Sequence, residues 1–202
     1  MANANRPAGF IPTQYLNGAE WSGQARLYSV AAAYTTALYI GDPVISSGTA
    51  DANGVPGVIL GAATGALRGV IVGIGSSEGL PANIVNPNIT YRPAAAQAND
   101  WYVMVCDDPN VLFEIQEKAG TQQLAATEIG LNTVPVLAAG NGFVSGWTLA
   151  SYTDATPNTT ATLQLRLMGL VRRQNNAFGA YAKHLVKINV HELGTGTGAA
   201  GV

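Results

Sequence analysis

The sequence predicts an all-β protein, an antiparallel barrel or sandwich of short strands. Glycine (24 residues) and proline (10 residues) interrupt the 202-residue chain every few positions, and the apolar segments between them are short. Helical periodicity is scarce, and strands without intervening helices do not readily form a parallel sheet, because parallel crossovers usually contain helices. A chain of this length can bury a substantial core in one large domain or two small ones.

Seven segments have the apolar and β-branched composition of strands about five to eight residues long. In the sixth, alternation points Leu163, Leu165 and Leu167 inward and Gln164, Arg166 and Met168 outward. Gly169 then interrupts the pattern, as is typical of a β-bulge or a barrel corner. The segments are ALYIGDPVIS, GVPGVILG, RGVIVGIG, WYVMVCD, NVLFEIQE, ATLQLRLMG and HLVKINVHE.

Composition divides the chain into an arm, a domain and a tail. Residues 1–12 are rich in Asn, Ala and Pro and are predicted to form an extended arm, followed by the barrel or sandwich domain at 13–193. The Gly-rich residues 194–202 predict a flexible tail. Strand spacing changes after Gln116, which suggests a small inserted subdomain at about 118–160. Its best helical segment, TQQLAATEIGLN, supports at most two turns.

The chain carries few charges: 11% of residues are charged, 48% are hydrophobic, and the formal net charge is -2. Such a surface is covered by uncharged polar groups or is buried against other subunits. Nucleic-acid binders need clustered positive charge, and the only adjacent basic pair is Arg172–Arg173. The apolar runs are far shorter than the ~18 residues of a membrane span. We expect neither nucleic acid nor a membrane as partner, and no export, because the N-terminus lacks a secretory pattern.

The segment VMVCDDPNVLFEIQE (residues 103–117) contains four of the twelve acidic residues, which suggests either a carboxylate site or a turn. Within Asp107–Asn110, Pro109 follows an Asp and is suited to the second position of a β-turn, which the Asp side chain before it can cap. No second group of His, Asp or Glu is visible to complete a metal site. We therefore predict a hairpin, with Phe113 and Ile115 on one face, Glu114 and Gln116 on the other, and Glu117 at an exposed strand end.

The stretch GSSEG (residues 75–79) matches the nucleophile elbow G-x-S-x-G, and Asp154 and His184 follow Ser77 in hydrolase order. The elbow requires a helix directly after the serine. A proline at position 81 prevents a regular helix there. We therefore interpret the segment as a glycine-rich turn and expect no catalytic residue.

Three further side chains are candidates for metal binding or nucleophilic chemistry. His184 and His191 are separated by an odd number of positions on a predicted strand, so they point to opposite faces and cannot share a metal. We expect them to be ordinary surface or interface histidines. Cys106 lies in an apolar strand beside acidic residues, which is typical of an inert thiol. No cofactor or metal is expected.

Several separated segments, which together cover nearly the whole chain, resemble the capsid cement, or decoration, proteins of tailed bacteriophages. No single one of these segments is diagnostic, and no catalytic signature accompanies them. The segments are NRPAGFIPTQYLNGAEWSGQARLY (5–28), GDPV (41–44), DANGVPGV (51–58), TYRPA (90–94), YVMVCDDPNVLFEIQE (102–117), SGWTL (145–149) and LQLRLMGLVRRQNNAFGAYAKHLVKINVHE (163–192).

The resemblance implies a structural protein of the virion that is made in the host cytoplasm and bridges major capsid protein subunits on the outside of the head. A low-charge surface suits such contacts, and we expect the chain to self-associate as a trimer or dimer. In the arm, Phe10 and Ile11 could enter a capsid groove and Arg6 could pair with a capsid carboxylate; alternatively, the arm is a disordered end or covers its own barrel. Two other functions stay open: a tail or fibre module that binds host carbohydrate, and a small hydrolase that uses Ser77.

Overall fold

The computed structural model describes residues 3–75, 89–194 and 197–201, and it has the all-β fold that the sequence predicts. This part of the chain contains fourteen strands and one 3-10 turn, Ala126–Glu128. The strands are β1 (Ile11–Tyr15), β2 (Arg26–Val30), β3 (Leu38–Tyr39), β4 (Pro43–Ala50), β5 (Pro56–Leu60), β6 (Gly69–Ile74), β7 (Tyr91–Arg92), β8 (Trp101–Cys106), β9 (Val111–Gln116), β10 (Asn132–Thr133), β11 (Pro135–Val136), β12 (Thr148–Leu149), β13 (Leu165–Leu170) and β14 (Lys183–Ile188).

Five strands close into a barrel in the order β2-β5-β4-β6-β8. One pair in this barrel, β2 with β5, is parallel, and there Ser29 lies opposite Gly57. This pair corrects the expectation of antiparallel pairing throughout, because the chain returns to β5 through strands β3 and β4 and needs no helix. Each large apolar side chain inside contributes about 1.5–3 kcal/mol through burial. The buried set includes Tyr28, Val44, Val58, Ile71, Val103 and Val105.

The second layer is an antiparallel five-stranded sheet in the order β1-β9-β14-β13-β10. One face packs on the barrel through a second core that includes Phe113, Leu165 and Val186 from the sheet and Leu67 and Val70 from the barrel side. The register of β13 against β14 shifts between Leu167 and Gly169. The predicted bulge is therefore confirmed.

The predicted hairpin of β8 with β9 is wrong. Strand β8 pairs with β2 and β6 inside the barrel, whereas β9 pairs with β1 and β14 in the sheet. The turn between them does form: the Asn110 N–H donates to Asp108 Oδ1 (2.8 Å), and the Val111 N–H donates to the Asp108 carbonyl (3.2 Å). It is a corner that leads the chain from one layer to the other.

Four polar side chains expected at the surface are buried instead. Glu117 and His184 are 0% exposed, and His191 is 2% exposed. Gln164, predicted to point outward, is fully buried, and its amide Nε2 donates to the carbonyls of Ala62 (3.0 Å) and Gly65 (2.8 Å). In each case a segment distant in sequence covers the side chain.

The regions predicted as insert and tail both contact the main sheet. Residues 118–160 supply strand β10 to that sheet, and β11 and β12 pair with each other beside it. In the tail, the Ala199 carbonyl accepts hydrogen bonds from Asn132 Nδ2 (2.8 Å) and Arg166 (2.9 Å). The Ala199 N–H donates to Asn189 Oδ1 (3.0 Å).

Candidate functional site

The N-terminal arm lies across the face of the five-stranded sheet that is turned away from the barrel. We call this the outer sheet face; it includes Glu114 and Gln116 of β9, Met168 of β13, and Lys183 and Lys187 of β14. The Arg6 N–H donates to Gln116 Oε1 (2.7 Å), and Lys183 Nζ donates to the Arg6 carbonyl (2.8 Å). The arm is therefore a folded part of the domain.

Phe10, predicted to anchor the arm in a capsid groove, is buried in the chain's own core. It is 1% exposed, and its ring packs edge-on against Phe113 with centroids 6.1 Å apart. Its N–H donates to the Gly41 carbonyl (2.9 Å). Gly9 has a positive φ of 65°, and a Cβ there would collide with that same carbonyl and with Ser145. The prediction of Phe10 as a capsid contact is corrected: it fixes the arm to the barrel and sheet.

The other two predicted contact residues are at the surface. Ile11 is 40% exposed, and the Arg6 side chain points to solvent beside it. Arg173 pairs with Glu114, which is 3% exposed and lies on the outer sheet face. Arg172, next in the chain, is exposed. Arg6 of the arm and Arg173 line one groove on this face.

Two grooves meet at Arg173, Glu114 and Asn176 on the outer sheet face. One has a volume of about 840 Å³ and is bordered by Met168, and the other, of about 320 Å³, runs between the arm and Lys183. Met168 projects there because it lies at the bulge of β13. Met168 and Phe178 are 37% and 40% exposed, so the larger groove has an apolar border.

A second apolar surface surrounds the loop that precedes β12. Leu137 is 56% exposed and Phe143 is 66% exposed. The Gly142 carbonyl next to Phe143 accepts a hydrogen bond from Thr90 (3.2 Å), so this loop lies beside β7. There Tyr91 stacks on Tyr39 with ring centroids 5.4 Å apart. No charged residue takes part in these contacts.

Glu117 and His184 form a fully buried pair that sequence reasoning missed. His184 Nε2 lies 2.9 Å from Glu117 Oε2, and the Leu124 N–H donates to Glu117 Oε1 (2.8 Å). His184 Nδ1 is buried and has no hydrogen-bond partner among the described residues. If the imidazole is neutral and Nε2 carries the proton, Nε2 donates to Glu117 and Nδ1 carries only a lone pair. No buried N–H of the ring then lacks an acceptor, so the geometry favours this tautomer. The pair holds residues 117–124 against β14.

A second buried polar network joins the barrel to the end of the chain. The Tyr28 hydroxyl donates to Asp107 Oδ2 (2.7 Å) and accepts a hydrogen bond from Arg68 Nε (2.8 Å). Arg68 also lies 3.6 Å from Glu192. Beside it, the Leu193 N–H donates to His191 Nδ1 (3.0 Å), and burial lowers the pKa of His191 to about 4. These contacts connect strand β2 of the barrel with Arg68, Asp107 and the chain segment around Glu192.

The hydrolase hypothesis gains no support from the described residues. Ser77 lies outside them. Asp154 accepts hydrogen bonds from Lys118 Nζ (2.7 Å) and from the Ser151 hydroxyl (2.6 Å), whereas His184 contacts Glu117. The two residues that would complete a triad are therefore each engaged with different partners.

Cys106 is buried, and its pKa shows why it is a poor nucleophile. Its side chain is 1% exposed, and burial raises the pKa of the thiol to about 12. The thiolate is then scarce at neutral pH. Across residues 3–75, 89–194 and 197–201, no three His, Cys, Asp or Glu side chains are grouped as metal ligands.

Comparisons with known proteins gave no relative: no family model, no curated protein and no solved structure matches this chain. In the part of the chain that the structure describes, no helix is long and apolar enough to cross a bilayer.

Proposed function

We propose that this chain is a decoration protein of a tailed-bacteriophage head, which binds the outer surface of the assembled shell and bridges major capsid protein subunits. The proposal begins with the sequence segments that resemble such proteins. Its main structural support is the outer sheet face, where exposed cationic and apolar side chains surround two grooves. The proposed role requires contact area and no chemistry. A protein that binds the assembled shell and not its separated subunits stabilises the shell by mass action.

We propose in addition that the protein acts as a trimer or dimer, through side-chain surfaces and not through strand edges. The Trp21 N–H donates to the Thr13 carbonyl on the free side of β1 (3.0 Å), and Asn132 of β10 exchanges two backbone hydrogen bonds with Asn158. The five-stranded barrel is closed. In the described residues, the barrel and the outer strands of the five-stranded sheet therefore leave few backbone groups for strand pairing with another copy.

Shells assembled from the major capsid protein of the same phage head would provide the test. The purified protein should cosediment with intact shells and raise the temperature at which they dissociate. The unassembled capsid protein is the control and should bind it much more weakly. Absence of binding to shells, with association to tails in purified virions, would contradict the proposal.

A tail or fibre module that binds host carbohydrate is the second candidate. The observation that favours it is the stacked pair of Tyr39 and Tyr91 beside exposed Phe143, since flat aromatic surfaces pack against sugar rings. If this function is correct, the wild-type protein should bind host cells but not shells, and Tyr91→Ala should abolish binding to host cells. Binding to shells that survives Tyr91→Ala favours the decoration role.

A further inference from the structure

We propose that the outer sheet face binds an extended acidic segment of the shell protein that carries an apolar side chain among its carboxylates. This inference rests on the proposed function and names the chemistry of the partner. It is carried by the placement of charge on this face.

The charge of the outer sheet face is opposite in sign to that of the whole chain. The chain has ten basic and twelve acidic residues, a net charge of -2. The two grooves are lined by four basic side chains and one acidic side chain, a net charge of +3. The acidic one, Glu114, is 3% exposed and already paired. The basic ones are Arg6, Arg172, Arg173 and Lys183.

Most of the other basic side chains already have a partner inside the chain. Arg26, Arg68 and Lys118 each pair with a carboxylate. Arg92 and Arg166 donate to backbone carbonyls. Arg6, Arg172 and Lys187, by contrast, form no ion pair with any carboxylate in the described ranges. All three lie on or over the outer sheet face.

The shape and the apolar border of the grooves indicate an extended polypeptide. The grooves share Arg173, Glu114 and Asn176, so a single segment can pass from Arg172 to Arg6. Met168 and Phe178 border the larger groove and Ile11 lines the smaller one, where each offers apolar area to a side chain of the segment. Nucleic acid would need a denser row of cations than these. Ion pairs between carboxylates of the segment and exposed guanidinium groups of the groove would orient the segment and make its association fast and salt-dependent.

Two double variants with the same change in net charge test the inference on assembled shells. Arg6→Gln with Arg172→Gln removes the two guanidinium groups beside the grooves that form no ion pair within the described ranges. Arg26→Gln with Lys118→Gln removes two exposed cations outside it. We expect the first variant to bind shells about tenfold or more weakly and with less dependence on salt. The second should bind within about twofold of the wild type.

An apolar pair of variants compares the two exposed surfaces. Met168→Ala should weaken binding to the same shells, whereas Phe143→Ala on the other surface should not.

A cross-linking experiment uses Arg172→Lys, which retains the positive charge and introduces an amine. A carbodiimide should couple this amine to an Asp or Glu of the shell protein. Melting temperatures of all variants are measured first, so that a loss of binding is not confused with unfolding.

The outcomes separate the inference from the proposed function. Wild-type protein that fails to bind shells overturns the proposed function and this partner with it. A different result overturns only the acidic-segment inference. In that result the wild type and the Arg6→Gln/Arg172→Gln variant bind shells with equal affinity, whereas Phe143→Ala weakens binding. Coupling of the new amine of the Arg172→Lys variant to a shell carboxylate supports it.

Discussion

Arg92 is a buried residue whose guanidinium group donates hydrogen bonds to backbone carbonyls and to no carboxylate among the described residues. Its side chain is 0% exposed and donates to the carbonyls of Tyr34 (2.6 Å), Ala31 (3.2 Å) and Thr36 (3.3 Å). It also lies over the Tyr34 ring, 5.6 Å from its centroid. The planar fork of arginine reaches several acceptors at once, which a lysine ammonium on a flexible stem cannot do.

We therefore predict that Arg92→Lys destabilises the protein by about 1–3 kcal/mol, and Arg92→Ala by more. Chemical denaturation of both variants measures the effect. The control is Arg172→Lys, an exposed site where the same exchange should leave the free energy of unfolding unchanged. Equal stability of Arg92→Lys and the wild type would show that the carbonyl contacts contribute nothing specific.

The buried pair of Glu117 and His184 leads to a second prediction. Glu117→Ala leaves the Leu124 N–H and the imidazole buried without their acceptor, which should cost about 2–4 kcal/mol. The exposed pair of Lys118 with Asp154 is the matched control, and Lys118→Ala should cost less than about 1 kcal/mol. A smaller loss for Glu117→Ala than for Lys118→Ala would contradict the structural role of the buried pair.

The buried His191 side chain should make the protein less stable in acid. Burial lowers the pKa of the His191 imidazole in the folded protein from the ordinary 6.5 to about 4. Between these two pH values, His191 therefore takes up a proton in the unfolded chain but not in the folded one. Stability contributed by His191 is thus present above pH 6.5 and lost as the pH falls toward 4. Asp42, whose pKa burial raises to about 6, acts in the opposite direction.

Replacement of His191 isolates its contribution from that of Asp42. In His191→Asn the side-chain oxygen can still accept from the Leu193 N–H, and the group no longer titrates. Denaturation at pH 7, 6, 5 and 4 should show a smaller loss in the variant than in the wild type. The same slope in both proteins would exclude His191 as a source of acid sensitivity.

At the scale of elements, the corner between β8 and β9 decides how the two layers are joined. The sequence predicts both strands and the turn, because Pro109 and the Asp108 side chain act within four residues. It does not predict that the strands enter different sheets. The partners that decide this, β2 for β8 and β14 for β9, lie about 70 residues away along the chain. The bulge at Gly169 was predictable because its signal is local.

We predict that Asp108→Ala or Pro109→Ala destabilises the protein by about 0.5–2 kcal/mol through the lost turn preference. Since the turn links two layers, both should melt together at the lower temperature.

Added calcium or magnesium should leave the melting temperature of the wild type unchanged, because Asp107 already accepts a hydrogen bond from Tyr28 and Asp108 accepts one within its own turn. A rise of several degrees with either ion would restore the carboxylate-site interpretation.

At the scale of the whole molecule, long-range folding assembles the candidate surface from residues that look unrelated in the sequence. Arg172–Arg173 could be recognised as exposed cations, and Arg6 as a polar residue of an arm. The place of Arg6 in the same groove as Arg173 depends on Gln116 and Lys183, whose side chains form hydrogen bonds with the arm. The burial of Phe10 likewise depends on Phe113, about 100 residues further along the chain. Patterns of neighbouring residues in the sequence do not predict contacts between segments so far apart along the chain.

The central claim is that the protein binds the outside of an assembled head. A cryo-electron microscopy reconstruction of shells assembled with the wild-type chain tests it most directly, with undecorated shells as reference. We predict additional density on the outer surface, placed across the boundaries of neighbouring capsid subunits, with the five-stranded sheet facing the shell. Identical outer surfaces in the two reconstructions, or density confined to the tail of intact virions, would contradict the claim.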